Sequence, residues 1–131
     1  MSKEKRPLIA VVDDEEHIRK ALKRLLNSAG LEAETFKSGA EFLDSLRTHR
    51  PGCVVLDLHM PLMSGFAVQA RLAEAGERIP VLVITGHDSP ETRDQALVAQ
   101  PVAYLSKPVN DKELLDAIDL ALGSSRTPKA G

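Results

Sequence analysis

The 131-residue chain has one cysteine, no block of like charge, and no apolar run near the roughly 18 residues that would span a bilayer. Each absence removes a class of function. A lone Cys53 cannot form an internal disulfide, so the expected surroundings are reducing. The opening stretch Met-Ser-Lys-Glu-Lys-Arg carries charge without an apolar signal region behind it, and charges or prolines interrupt every later apolar run. The expectation is a cytoplasmic protein with no membrane segment. Its 17 Lys and Arg residues against 19 Asp and Glu residues give a formal net charge of -2. The basic footprint of a nucleic-acid binder is missing, so these residues are not expected to hold DNA directly. At 43% hydrophobic and 27% charged, the composition is that of one ordinary globular domain.

What is present is a fivefold alternation of short apolar runs with helical stripes. Leu8 to Val12, Cys53 to Asp57, Val81 to Thr85 and Ala103 to Ser106 are short and unalternated, as strands covered on both faces read. Leu31 to Phe36 alternates weakly and suits a sheet-edge strand. After the first strand, Ile18, Ala21, Leu22, Leu25 and Leu26 form one stripe that Gly30 ends, with Asp14 or a neighbour as cap. Ser38-Gly39-Ala40-Glu41 reads as a capping box opening a helix through Leu46. A third helix is expected from about Phe66 to Ala75. Ser89-Pro90 opens a fourth that ends near Gln100-Pro101. Asn110-Asp111-Lys112-Glu113 opens a fifth with Leu114, Leu115, Ile118, Ala121 and Leu122 on its stripe. Strand-helix repetition with short connections predicts an α/β fold with a parallel sheet covered on both faces. The domain is expected over residues 1–123. The last residues, 124–131, are small and polar and read as a flexible tail or linker.

Polar residues sit at the carboxyl ends of these strands: Asp13-Asp14 after the first, Asp57 at the third, Thr85 at the fourth and Lys107 after the fifth. In open α/β sheets ligands bind at that edge, so carboxylates and an ammonium group from distant parts of the chain should converge there. Taken singly, each has a plainer reading. Asp13-Asp14 ahead of Glu15-Glu16 fits negative charge favoured by a helix dipole. Asp57 could be a solvated strand end, although an acid after Cys-Val-Val-Leu is costly without a crevice or partner. Lys107 before Pro108 reads as a turn lysine, and Thr85 as a β-branched strand residue. Their order and spacing as a set are what favour a site that holds a hard cation and a phosphoryl group.

With these pieces together, the chain resembles the receiver domains of two-component response regulators. The resemblance rests on Val-Val-Asp13-Asp14-Glu, Leu-Asp57-Leu-His-Met-Pro61-Leu-Met-Ser-Gly65, Ile-Thr85-Gly-His and Tyr104-Leu-Ser-Lys107-Pro108, and runs from Leu8 to about Leu122. It implies a flavodoxin-like doubly wound (βα)5 fold with strand order 2-1-3-4-5. It implies a phosphoacceptor Asp57 served by a histidine kinase or phosphotransfer protein, with Lys107 and Thr85 contacting the phosphoryl oxygens. Mg²⁺ is the implied cofactor: Asp14 and Asp57 through side chains, His59 through its backbone carbonyl, Asp13 mainly through water. The Lys107-Pro108 bond is expected to be cis. Thr85 and Tyr104 are the implied switch, changing the partner affinity of the face made by helix 4, strand 5 and helix 5. An activation-dependent homodimer belongs among the expected partners.

The family pattern is not matched everywhere. Gln100-Pro101 stands where many members have Gly-Ala, Leu62 where turn-forming residues are frequent, and His59 and His87 at positions that bear on phosphoryl lifetime. His17 and His49 read as surface residues, Cys53 as a small core residue, Met60 and Met63 as loop packing. Three classes of function follow: a phosphotransfer-switched signalling module, which the motifs favour; the regulatory part of a longer DNA-binding transcription regulator; and a metal-dependent phosphatase. The last needs a substrate pocket and cap for which the compact loops leave no segment. The chain is expected to be no enzyme beyond assisting its own phosphorylation and dephosphorylation.

Overall fold

A computed structural model describes residues 6–123; residues 1–5 and the expected tail 124–131 lie outside the described residues. The strands are β1 (Leu8–Val12), β2 (Glu32–Phe36), β3 (Cys53–Asp57), β4 (Val81–Thr85) and β5 (Ala103–Ser106). They alternate with α1 (Glu16–Ser28), α2 (Gly39–Ser45), α3 (Gly65–Glu74), α4 (Pro90–Leu97) and α5 (Asp111–Gly123). All pairings are parallel in the order β2-β1-β3-β4-β5. This is the expected doubly wound sheet.

The apolar runs explain its two-sided covering. Successive strand residues point to opposite faces. Ile9, Val11, Cys53, Val55, Leu82 and Ile84 therefore meet Leu22 and Leu26 of α1 and Leu114, Ile118 and Leu122 of α5. Ala10, Val12, Val54 and Leu56 turn the other way, onto Phe42, Val68 and Leu72 of α2 and α3. A smaller cluster of Leu58, Val83 and Ala96 seats α4. The β2 strand lies at the edge, which suits its weaker pattern.

Helix starts follow the serine signals. Ser38, Ser64 and Ser89 each accept a hydrogen bond from the backbone N–H three residues on. Asn110 Oδ1 does the same for Glu113. Two expectations differ in detail. Glu41 reaches back to the N–H of Lys37 rather than Ser38, so the capping box is open by one residue. The α1 cap falls on Glu15, the neighbour of Asp14; its side chain makes no cap bond, and its N–H donates to Asp13 Oδ1. The α4 helix stops at Leu97, short of Gln100, whose φ of 55° breaks the helical path before Pro101.

Candidate functional site

Asp13 follows β1 and is fully buried. Its N–H donates to the Phe36 carbonyl, its own carbonyl accepts from Arg19 Nη1, and Oδ1 is held by the Glu15 N–H. Only Oδ2 is left over. Among the described residues it is the one buried side-chain oxygen without a hydrogen-bond partner. Lys107 Nζ lies 3.0 Å from it, as an ion pair.

Asp57 ends β3 and is 2% exposed. The turn that follows is tight because Gly65 packs on it: a Cβ at Gly65 would lie 2.3 Å from the Asp57 carbonyl oxygen. Only glycine closes this loop. Ligand oxygens of Asp13, Asp14 and Asp57 all come within 4.8 Å of one another. Lys107 Nζ reaches the same group, 3.6 Å from Asp57 Oδ1, across a cis Lys107-Pro108 bond.

Crowding acids at a buried edge has an electrostatic consequence. Burial, then the charge of Asp13, pushes the Asp57 carboxyl up to about 7, against the opposing pull of Lys107 and the His59 N–H. Burial alone would lower Lys107, but its contact with Asp13 and the charges of Asp57 and Glu15 outweigh it and raise its pKa. The cluster is short of positive charge. Three converging carboxylates against one lysine fit a hard, oxygen-seeking divalent cation. Asp14 and Asp57 line a cavity of about 240 Å³ together with Glu15, His59, Gly86, His87 and Lys107.

Thr85 is fully buried at the end of β4. Its Oγ1 accepts from the His87 N–H at 3.0 Å and lies 3.1 Å from His59 Nδ1. Tyr104 is half-buried on β5 and its hydroxyl donates to Asp88 Oδ1 at 2.9 Å. Ser106 and Arg93 bond the other oxygen of that carboxylate, and the Arg93 guanidinium stacks 4.6 Å from the Tyr104 ring centre. The Tyr104 hydroxyl and its bond hold Asp88 below the usual carboxylate range, while burial and Asp88 raise Tyr104.

The residues expected at the site are thus brought to one strand edge, except Tyr104, whose hydroxyl is tied to Asp88 instead. Two participants were not legible beforehand. Glu15 reads in sequence as helix-end charge, yet its Oε1 lies 3.2 Å from Lys107 Nζ. Asp88 looks like a turn residue in Gly-His-Asp-Ser-Pro, and only the fold places it against Tyr104, Ser106 and Arg93.

Comparison with known proteins completes these observations. A family model described as the response regulator receiver domain matches residues 9–119. Response regulator protein TodT of Pseudomonas putida is 40% identical over 115 residues, covering 88% of this chain and 51% of that protein. Transcriptional regulatory protein TdiR of Thauera aromatica is 37% identical over 118 residues, 90% of this chain and 52% of TdiR. The chain spans about half the length of these curated relatives. Among solved structures, a response regulator receiver protein from Burkholderia phymatum superposes with a TM-score of 0.80 at 45% identity, covering 90% of this chain and 96% of that one.

Proposed function

This chain belongs to the family of response regulator receiver domains, and on that premise we propose that Asp57 is its phosphoacceptor, with a phosphohistidine of a histidine kinase or phosphotransfer protein as donor. Membership makes it a signalling domain rather than a classical enzyme. An Asp57 oxygen attacks phosphorus, the P–N bond breaks, and its electron pair returns to the imidazole nitrogen of the donor, which takes up a proton. The new bond is an acyl phosphate. Asp13, Asp14, Asp57 and the His59 backbone carbonyl would hold Mg²⁺, which when bound supplies the charge neutralisation that two meeting anions require. Lys107 adds a fixed positive charge beside Asp57 for the phosphoryl oxygens. The observation that carries this reading is the convergence of the Asp13, Asp14 and Asp57 oxygens within 4.8 Å of one another, with Lys107 beside them.

Thr85 and Tyr104 form the switch. A phosphoryl group at Asp57 gives the Thr85 hydroxyl a new charged acceptor, and its inward turn vacates space for the Tyr104 ring. The face of α4, β5 and α5 then changes affinity for a downstream protein or for a second copy. Exposed Leu97, Val98 and Leu120 on that side give such a partner apolar surface. The reading implies the cytoplasm, where the buried Cys53 thiol, raised to about 12 by burial, stays inert. No helix among the described residues is long and apolar enough to cross a membrane.

A second reading concerns the whole protein. The chain covers about half of relatives that include a transcriptional regulatory protein, which supports reading it as the regulatory part of a longer regulator with a DNA-binding output domain. An open reading frame that continues past Gly131 into such a domain supports this, and one that stops there refutes it.

Intact mass after incubation with Mg²⁺ and a small acyl phosphate tests the main reading. The expected result is one phosphoryl adduct, absent with chelator and in Asp57→Ala. An adduct of equal size in folded Asp57→Ala would rule Asp57 out.

A further inference from the structure

His59 and His87 project from just beyond the ends of two different strands, and neither ring carries a step of the phosphoryl transfer proposed above. Both are exposed, both line the cavity with Asp14, Glu15 and Asp57, and their ring centres lie 4.8 Å apart at 66°. A metal bound by two imidazoles at about 2.1 Å in a tetrahedral arrangement sets their ring centres about 5 Å apart. The observed edge-on contact lies close to that spacing, so turning one ring suffices to aim both imidazoles at one ion.

The His59 ring is also positioned. Thr85 Oγ1 lies 3.1 Å from its Nδ1, and Phe66 stands edge-on with ring centres 5.9 Å apart. When Nδ1–H donates to that hydroxyl, Nε2 keeps its lone pair, the arrangement in which histidines commonly bind metals. No hydrogen bond among the described residues holds the His87 ring, so it can turn about χ2 to meet the same ion.

We propose that this pair makes the cavity a second kind of metal site, for a borderline divalent cation with zinc(II) as its type, bound by the imidazoles of His59 and His87 and completed by water. Imidazole selects such ions, whereas Mg²⁺ takes oxygen. Resting on the receiver reading above, the consequence is competition: zinc on this pair fills the space through which a phosphoryl group reaches Asp57.

The test is calorimetric titration of zinc chloride into the full chain under excess Mg²⁺. Wild type is expected to bind one ion, with affinity at least tenfold weaker in His59→Gln and in His87→Gln, and unchanged in His17→Gln. The first three proteins should keep native amide spectra, since both rings are exposed. Wild-type affinity in the double variant His59→Gln/His87→Gln would overturn the proposal and assign the ion to the carboxylates alone. A parallel assay follows acyl phosphate labelling as zinc rises, each protein normalised to its own zinc-free rate. Wild-type labelling should fall at zinc concentrations about tenfold below those that affect His87→Gln. Unaffected labelling with zinc saturating the pair would overturn the competition. Failure of wild type to label without zinc would count against the receiver reading, and the calorimetry would still decide the metal pair.

Discussion

Two side chains sit where their chemistry is disfavoured. Leu62 has φ of 71°, is fully exposed, and lies at the centre of a three-residue turn closed by the Met63 N–H on the Pro61 carbonyl at 2.7 Å. That γ-turn is a strained form for any residue with a Cβ. Leu62→Gly should therefore raise stability by about 0.5–1 kcal/mol in urea unfolding, the relief exceeding glycine's entropic cost. An unchanged or lower stability would mean the turn is unstrained. Asp57 is the second case. With its pKa raised from 3.8 to about 7, the metal-free folded state keeps a proton that the unfolded chain has released. Stability is thus greatest below about pH 4 with respect to this group, and falls as pH rises through the window to about 7. About half of the shift, allowing for solvent screening at the pocket mouth, amounts to about 2 kcal/mol. Metal-free Asp57→Asn should exceed wild type by that amount at pH 8 and converge with it at pH 4 in denaturant titrations. Parallel curves would contradict the burial account. At this scale the sequence was informative about identity and poor about direction. Asp57 and Lys107 are visible because an ionised residue ends an apolar run, whereas Glu15 on Lys107 and Thr85 beside His59 depend on rotamers that no spacing encodes.

At the level of elements, α4 is the least secured helix. Its single buried residue is Ala96, and Gln69 of α3, itself 5% exposed, donates its amide to the Ala96 carbonyl at 3.2 Å. Gln69→Leu leaves that buried carbonyl unpaired, a loss of about 1–3 kcal/mol. Hydrogen exchange should accelerate in α4 amides before those of α1 or α5; uniform acceleration would deny α4 this independence. The adjoining latch is tested through the chain's only tyrosine. Because burial and Asp88 both raise Tyr104, Asp88→Ala should move its ultraviolet titration midpoint down toward the ordinary value. No movement would mean that burial alone sets it. The inner strands β1, β3 and β4 were legible as elements since each apolar run is almost wholly buried, whereas β2 and β5 at the sheet edges are only partly so. Helix ends were less so: α4 stops at Leu97 ahead of Gln100, which takes a left-handed backbone, and α1 starts after Glu15, whose side chain makes no cap bond.

For the whole molecule, the strand order is what brings positions 13, 57 and 107 to one edge, and that order was anticipated from the receiver resemblance more than from any single strand. A cation bound only by the folded form stabilises it by about 1.4 kcal/mol at tenfold over its Kd. Mg²⁺ should therefore raise the unfolding temperature of wild type, and the rise should vanish in Asp13→Asn, whose buried oxygen points toward the carboxylate cluster. An equal rise in both would place the cation elsewhere. The central claim, that this edge is a phosphoacceptor centred on Asp57, is tested most directly by reducing the phosphorylated protein with borohydride and mapping the product. An acyl phosphate on aspartate is converted to homoserine, so the account predicts homoserine at position 57 and at no other carboxylate. Homoserine at Asp13, Asp14 or any other acid, with position 57 still aspartate, would contradict it.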